Sequence, residues 1–149
     1  MITYNLANAE EIEAITLLLE QNNLPVSDIR ESAIDFIVAK NNSKLIGCVG
    51  LEKKGDHGLL RSFAVESEFR NLGVGTELYQ RILKHALQFN IRSIHLLTNT
   101  ASEYFSKVGF VVTDRINAPN AITETIEFSC LCPVSSQYMV LTDIAKYVK

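Results

Sequence analysis

A glycine-containing segment in the middle of the chain has the residue types of an anion-binding loop. Gly73 and Gly75 closely follow Arg70, and an apolar stretch at residues 59–65 precedes them. We predict a strand, then a loop, then a helix that begins at Thr76. The N–H groups of such a loop and of a first helical turn lack intrahelical partners. Because glycine permits close approach and the helix dipole favours negative charge, the segment suits a pyrophosphate, with Arg70 as an added cation.

Two common phosphate-binding motifs do not fit this segment. A dinucleotide fingerprint would require a third glycine where Leu78 stands, and it would open a βαβ unit rather than follow three antiparallel strands. A nucleotide P-loop would require Gly-Lys-Ser or Gly-Lys-Thr, which is absent here. Two glycines can also form a simple strand-to-helix turn, but the surrounding elements favour the anion-binding loop.

A charged residue lies within the apolar strand before the loop. Arg61 is flanked by Leu60 and followed by Phe63 and Ala64, and burial of an unpaired guanidinium costs several kcal/mol. Two explanations remain open. Either an internal carboxylate pairs with Arg61, or an anionic substrate does.

The three cysteines are an odd number, which favours reduced thiols. The spacing of Cys130 and Cys132 is too tight for a comfortable disulfide. Such thiols would suit a soft metal or trivalent arsenic. We favour the interpretation that Cys48 is a small apolar strand residue and that the other two are incidental, and we assign no metal site.

The hydrophobic pattern predicts the elements that position these residues. It predicts an α+β fold with a mixed, mostly antiparallel sheet of six to seven strands flanked by about four helices. The predicted strands are residues 3–6, 34–39, 44–52, 59–65, 93–98, 110–114 and 136–142. The predicted helices start after Asn8 and Ser27 and cover 76–89 and 102–108, with one or two further turns within 122–128.

Length and composition exclude several classes of protein. With 149 residues, 47% of them hydrophobic, we expect a single domain spanning 1–149. The net charge of −3 comes without a basic stripe, which argues against nucleic acid as a partner. The apolar stretches are too short to span a membrane, and no secretory signal is visible. We therefore expect a cytoplasmic protein.

Two motifs, together with the order of elements, resemble the GNAT N-acetyltransferases over nearly the whole chain. They are Arg-Asn-Leu-Gly-Val-Gly at 70–75 and Ala-Ser-Glu-Tyr-Phe-Ser-Lys-Val-Gly-Phe at 101–110. Shorter matches are most similar to the arsenic-resistance N-acetyltransferases, and next to N-acetylglutamate synthase domains. They are Gly-Leu-Glu at 50–52, Leu-Leu-Arg-Ser at 59–62, Leu-Leu-Thr at 96–98, and Glu-Phe followed by Leu-Cys-Pro and Ser within 127–135.

The resemblance implies acetyl-CoA as the acetyl donor, with its pyrophosphate on the amides of residues 71–76 and its pantetheine arm along the end of the strand. Many relatives carry a leaving-group acid, a tyrosine, where this chain has Phe105, and a pantetheine-binding asparagine where it has Thr98. Neighbouring helical residues point ~100° apart, so we do not transfer the acid role to Tyr104. The implied cofactor-binding residues are Phe63, Ala64, Val65, Arg70, Asn71, Leu72, Gly73, Val74, Gly75, Thr76, Thr98 and Phe105.

Acetyl transfer to an amine also requires a base and an acceptor site. Glu52 is our first candidate base and His57 the second, although either could instead be a non-catalytic residue. A strand amide near Ala64 or Val65 is the expected oxyanion donor. The expected substrate-site residues are Arg61, Cys132 and Ser135.

We therefore expect an N-acetyltransferase that acts by direct transfer on the primary amine of a small, anionic, amino-acid-like acceptor. One alternative is a non-catalytic module that binds acyl-CoA or senses arsenic. Another is a short-form N-acetylglutamate synthase. Because many relatives dimerise, a homodimer is also compatible with the resemblance.

Overall fold

A computed structural model of the chain describes residues 1–131 and 135–149. Its centre is a seven-stranded sheet. The strands are β1 (Ile2–Leu6), β2 (Ile34–Asn41), β3 (Lys44–Lys54), β4 (His57–Val65), β5 (Ser93–Thr98), β6 (Val111–Val112) and β7 (Gln137–Thr142). The α-helices are α1 (Ile12–Gln21), α2 (Val74–Gln88), α3 (Ser102–Lys107) and α4 (Asn120–Thr123). A π-helical turn covers Glu127–Leu131, and 3-10 turns cover Ala9–Glu11, Ser67–Phe69, Arg115–Asn117 and Ile144–Tyr147.

The strand order is β1-β2-β3-β4-β5-β7-β6, and β4–β5 is the parallel pair in a sheet that is otherwise antiparallel. The predicted mixed α+β fold is confirmed. Two local predictions are corrected. The stretch after Ser27 forms turns rather than a helix, and the predicted strand at 110–114 shortens to Val111–Val112. The short β6 lies at the edge of the sheet, where very short strands are common.

Helices pack on both faces of the sheet. Because side chains alternate along a strand, Ile37 and Ala39 face one side of β2, and Phe36 and Val38 face the other. The first pair belongs to an apolar cluster with α2, and the second to a cluster with α1. No helix within the described ranges has the length and apolarity needed to cross a membrane.

A gap opens between the two central strands. Their pairing is limited to His57↔Ser93, Gly58↔Ile94 and Leu59↔His95, so residues 60–65 of β4 and 96–98 of β5 border a gap. A bulge in β4 lies at this opening, where the register with β3 shifts and Ser62 adopts a left-handed φ of 55°. The bulge changes which face the following side chains occupy. Leu60 therefore packs with the α2 cluster and Ala64 with the α1 cluster.

Candidate functional site

The loop between β4 and α2 presents a run of unbonded amides. Glu77 N–H, the first to bond within the helix, donates to the Gly73 carbonyl at 3.0 Å. Among the described hydrogen bonds, the amides of residues 71–76 donate to no backbone carbonyl. Gly73 caps α2 without a side-chain hydrogen bond. The predicted loop of free N–H groups at the start of a helix is therefore present, and it suits an anion.

The two glycines keep this loop open. Gly73 has a φ of +84°, which favours glycine, and an added Cβ there would meet nothing within 4 Å. At Gly75 the nearest atoms to an added Cβ belong to Phe63 and Val65, at 3.9 Å. Because no protein atom crowds either position, both glycines leave the approach to the amides clear.

Arg70 fastens the loop to its surroundings. Its Nε donates to the Val65 carbonyl at 3.0 Å, and its Nη2 donates to Asn22 Oδ1 at 2.5 Å. The side chain therefore links the end of β4 to the C-terminus of α1. This arrangement gives Arg70 a structural task besides the predicted role of a cation near the anion.

The backbone of β4 directs one amide of the predicted pair into the gap. Glu66 N–H donates to the Ile46 carbonyl of β3 at 2.7 Å. Because backbone groups alternate between the two edges of a strand, Ala64 also faces β3 and Val65 faces the opposite edge. Of the two amides predicted as oxyanion donors, that of Val65 is the one at the gap.

The wall of the gap on the α2 and α3 side is aromatic. The rings of Phe63 and Phe105 lie 6.4 Å apart, and Phe105 is buried. Tyr104 is 38% exposed and packs edge-on against both Tyr79 and Phe105. The Thr98 hydroxyl accepts the Ala101 N–H at 3.0 Å, and it therefore holds the turn that leads into α3.

Arg61 lies at the centre of a buried cluster of carboxylates. Its Nη1 and Nη2 each donate to Asp28 at 2.6 Å, and Nη1 also donates to Glu52 at 2.7 Å. Glu127 approaches Nε at 3.5 Å. The Arg61 side chain is 0% exposed. Of the two explanations that the sequence left open, the contacts of Arg61 in this structure are those of the first, pairing with internal carboxylates.

The cluster shifts its members' pKa values in different directions. Burial acts to raise the pKa of Asp28, but hydrogen bonds from Arg61 and Ser32 outweigh it and lower that pKa. Burial raises the pKa of Glu127 to about 7; the charges of Glu52 and Asp28 add to this effect, and that of Arg61 opposes it. Burial acts to lower the pKa of Arg61, but its carboxylate partners raise it above the ordinary value. Arg61 therefore stays charged.

The two predicted bases, Glu52 and His57, lie in different surroundings. Glu52 is 1% exposed and bound by Arg61, so its carboxylate is engaged by a cation rather than free for an amine. His57 lies at the closed end of the β4–β5 pairing, roughly 13 Å along the strand from Arg61. The structure therefore does not bring His57 to the gap.

His57 instead begins a hydrogen-bonded chain across the sheet. Its Nδ1 lies 2.8 Å from Ser93 Oγ, which lies 2.8 Å from His95 Nε2. His95 Nδ1 lies 2.6 Å from the Tyr138 hydroxyl. Burial lowers the pKa of His95 to about 4, and the neighbouring His57 adds to this effect. His95 is therefore neutral near pH 7.

The two cysteines within the described residues, Cys48 and Cys130, belong to no candidate metal-binding group there. The Cys48 thiol donates to the Ser62 carbonyl at 3.3 Å, and burial raises its pKa to about 12. Cys130 is exposed. Cys132, a predicted substrate-site residue, lies outside the described residues. Ser135, the other predicted residue of this stretch, is the first residue of the second described range and is exposed.

Sequence reasoning missed Asp28 and Glu127 as partners of Arg61. The cation within an apolar strand indicated that a carboxylate was needed, but 33 residues separate Asp28 from Arg61 in the chain. Glu127 lies in a stretch whose only predicted structure was one or two helical turns. Both residues lie far from β4 in the chain, so the residue pattern of β4 alone could not identify Asp28 and Glu127 as the partners of Arg61.

Comparison with known proteins identifies the family. Its model, described as the acetyltransferase (GNAT) family, matches residues 4–110. The chain belongs to this family. The predicted resemblance is therefore confirmed. An amino-acid acetyltransferase of Pseudomonas putida (strain GB-1) is 32% identical to this GNAT chain over 104 residues, which are 66% of this chain and 24% of that protein. The chain thus spans about a quarter of the length of the curated relatives it matches.

Solved structures share the fold. N-acetylglutamate synthase from Neisseria gonorrhoeae, complexed with coenzyme A and N-acetyl-glutamate, has a TM-score of 0.80 at 19% identity, covering 95% of this chain and 35% of that one. Rv2747 from Mycobacterium tuberculosis, in complex with CoA and NLQ, has a TM-score of 0.78 at 20% identity. The match covers 94% of this chain and 98% of that one. These neighbours confirm the GNAT fold.

Proposed function

We propose that this protein is an acetyl-CoA-dependent N-acetyltransferase acting on the primary amine of a small, amino-acid-like acceptor. The observation that carries the proposal is the run of unbonded amides at residues 71–76, next to the gap between β4 and β5. Family membership and the coenzyme A in the Neisseria structure support the donor.

In the proposed reaction, the residues of this chain bind acetyl-CoA and orient it relative to the acceptor amine. The loop amides hold the diphosphate of acetyl-CoA, and its pantetheine arm lies along residues 63–65 in the gap. The Val65 N–H donates to the oxygen of the thioester carbonyl as negative charge develops there. Holding the amine against the thioester removes much of the entropic barrier.

We propose direct transfer to the amine rather than an acetyl-cysteine intermediate. The Cys48 thiol is buried and protonated, and its hydrogen bond goes to a backbone carbonyl. Such a thiol is a poor nucleophile, since the thiolate is the reactive form. A thiol is also a tolerable leaving group near neutral pH, which lessens the need for a tyrosine at Phe105.

Similarity to relatives that are named amino-acid acetyltransferases supports an amino-acid-like acceptor. Because an amino acid carries a carboxylate, the same similarity supports an anionic acceptor. Arg61 does not support an anionic group, because its guanidinium is occupied by internal carboxylates. The N-acetyl-glutamate in the Neisseria structure favours a second candidate, a short-form glutamate acetyltransferase.

The test is release of CoA from acetyl-CoA over a panel of amines: amino acids, their phosphinic and arsinic analogues, polyamines and peptide N-termini. Turnover with amino acids or their analogues is the expected result. Turnover confined to glutamate would select the second candidate. Binding of acetyl-CoA without release for any amine would replace the proposal with a non-catalytic binding module.

A further inference from the structure

The cluster around Arg61 contains more negative than positive charge. Three carboxylates, those of Asp28, Glu52 and Glu127, face one guanidinium, and the four side chains are 0% to 6% exposed. Among the described residues, no other cation pairs with any of the three. This excess of negative charge attracts a further cation.

Glu127 is the least engaged of the three carboxylates. Asp28 receives two N–H bonds at 2.6 Å and the Ser32 hydroxyl at 2.6 Å, and Glu52 receives one at 2.7 Å. Within residues 1–131 and 135–149, the one cation paired with Glu127 is Arg61, whose Nε lies 3.5 Å away, and that N–H donates to Ser62 Oγ at 3.2 Å. The lone pairs of Glu127 are therefore the ones left to accept a proton or a donor. Burial raises the pKa of Glu127 to about 7, and the charges of Glu52 and Asp28 add to this effect.

The cluster lies where the gap begins. Leu59 is the last residue of β4 paired with β5, and Arg61 is the next residue on the same face. Glu127 reaches Arg61 from the π-helical turn that follows α4. Its carboxylate therefore lies next to the Arg61 side chain, on the same strand whose residues 63–65 we assign to the pantetheine arm.

We propose that Glu127 is the base that takes the proton from the acceptor's ammonium group. This inference rests on the proposed acetyltransferase function. One ammonium proton passes to the Glu127 carboxylate, and the freed nitrogen lone pair attacks the thioester carbonyl carbon. The C–N bond forms, and the C–S bond breaks with its electron pair on sulfur. A second nitrogen proton goes to the thiolate, the third stays on the amide, and Glu127 then releases its proton to solvent.

The variant Glu127→Gln tests this role, with Glu124→Gln as the matched control. Glu124 is exposed and precedes Glu127 by three residues. With saturating acetyl-CoA and the fastest amino acid of the panel, Glu127→Gln should lower kcat/KM by about 10²- to 10⁴-fold at pH 7. The control should match the wild type, and calorimetric affinity for acetyl-CoA should be unchanged in both.

The pH profile separates a base from a structural residue. The wild-type rate should fall on the acid side with a midpoint near pH 7. In Glu127→Gln that midpoint should disappear. The difference in rate between the variant and the wild type should become smaller at high pH, because the amine then loses its proton without a base. If the variant's kcat/KM is lower than that of the wild type by the same factor at every pH, or lies within threefold of it, the inference is overturned and the proposed function still stands. A wild type inactive on the whole panel would overturn both.

A direct titration covers the case in which the variant does not fold. The ¹³C carboxyl signal of Glu127 in the wild-type protein should titrate near pH 7. A midpoint below pH 5 would contradict the assigned role, because such a carboxylate is a weak base for an ammonium group.

Discussion

Substituting Gly75 by valine should separate binding of acetyl-CoA from folding. Gly75 is the second residue of α2, and its amide belongs to the unbonded run at residues 71–76. A Cβ there lies 3.9 Å from Phe63 and Val65, an ordinary contact distance. Gly73 is less suitable, because its φ of +84° would strain any side chain.

The expected magnitude follows from the hydrogen bonds that would be lost. A bond from an amide to a charged group contributes about 1.5–3 kcal/mol. A side chain that keeps the diphosphate from one amide should therefore weaken binding roughly 10- to 150-fold. Stability should not fall, because glycine within a helix is the less stable residue by about 0.5–1 kcal/mol relative to alanine.

Isothermal calorimetry with acetyl-CoA, combined with urea denaturation, measures both quantities. The matched control is Gln88→Val, an exposed and uncharged substitution at the other end of the same helix, roughly 20 Å away. It should bind like the wild type. If Gly75→Val folds and its Kd is unchanged, the loop does not hold the diphosphate.

Three further predictions concern the buried groups and the thiols. Arg61→Met should lower the free energy of unfolding at pH 8 by about 3–5 kcal/mol, because it leaves buried carboxylates without their cation; a loss under about 1 kcal/mol in urea denaturation would contradict the cluster. Because His95 has a pKa of about 4 rather than 6.5, the unfolded chain takes up a proton first, and stability should fall as pH drops from 6.5 to 4. The fall should reach at most about 3 kcal/mol, and an equally steep fall in His95→Gln would exclude His95 as its cause. Intact-protein mass spectrometry during turnover should detect no acetyl-cysteine, and an adduct lost in Cys132→Ala would refute direct transfer.

The sequence was most informative where a local rule determined the structure. The helical periodicity of residues 78–87 predicted α2 to within two residues at its start and one at its end. The glycines at 73 and 75, between an apolar strand and that helix, predicted an open loop of amides. The helical segment predicted to start after Asn8 does so, and a capping box formed by Asn8 and Glu11 begins it.

The sequence was least informative where distant segments meet. A cation in an apolar strand indicated that Arg61 needed a partner, but its carboxylates come from β3, a turn near residue 28 and the π-helical turn. Glu52 satisfied the pattern expected of a base, and only the three-dimensional contacts reveal that Arg61 binds it. The register of β4 and β5, which moves His57 away from the gap, likewise depends on long-range pairing.

The central claim is that the amides of residues 71–76 hold the coenzyme's diphosphate. It is tested most directly by following those amides in ¹⁵N-labelled protein during titration with acetyl-CoA and, separately, with S-acetylpantetheine, which lacks the diphosphate. We predict large shifts of the six amide signals with acetyl-CoA only. If acetyl-CoA binds and shifts other signals while these six stay in place, the claim is contradicted.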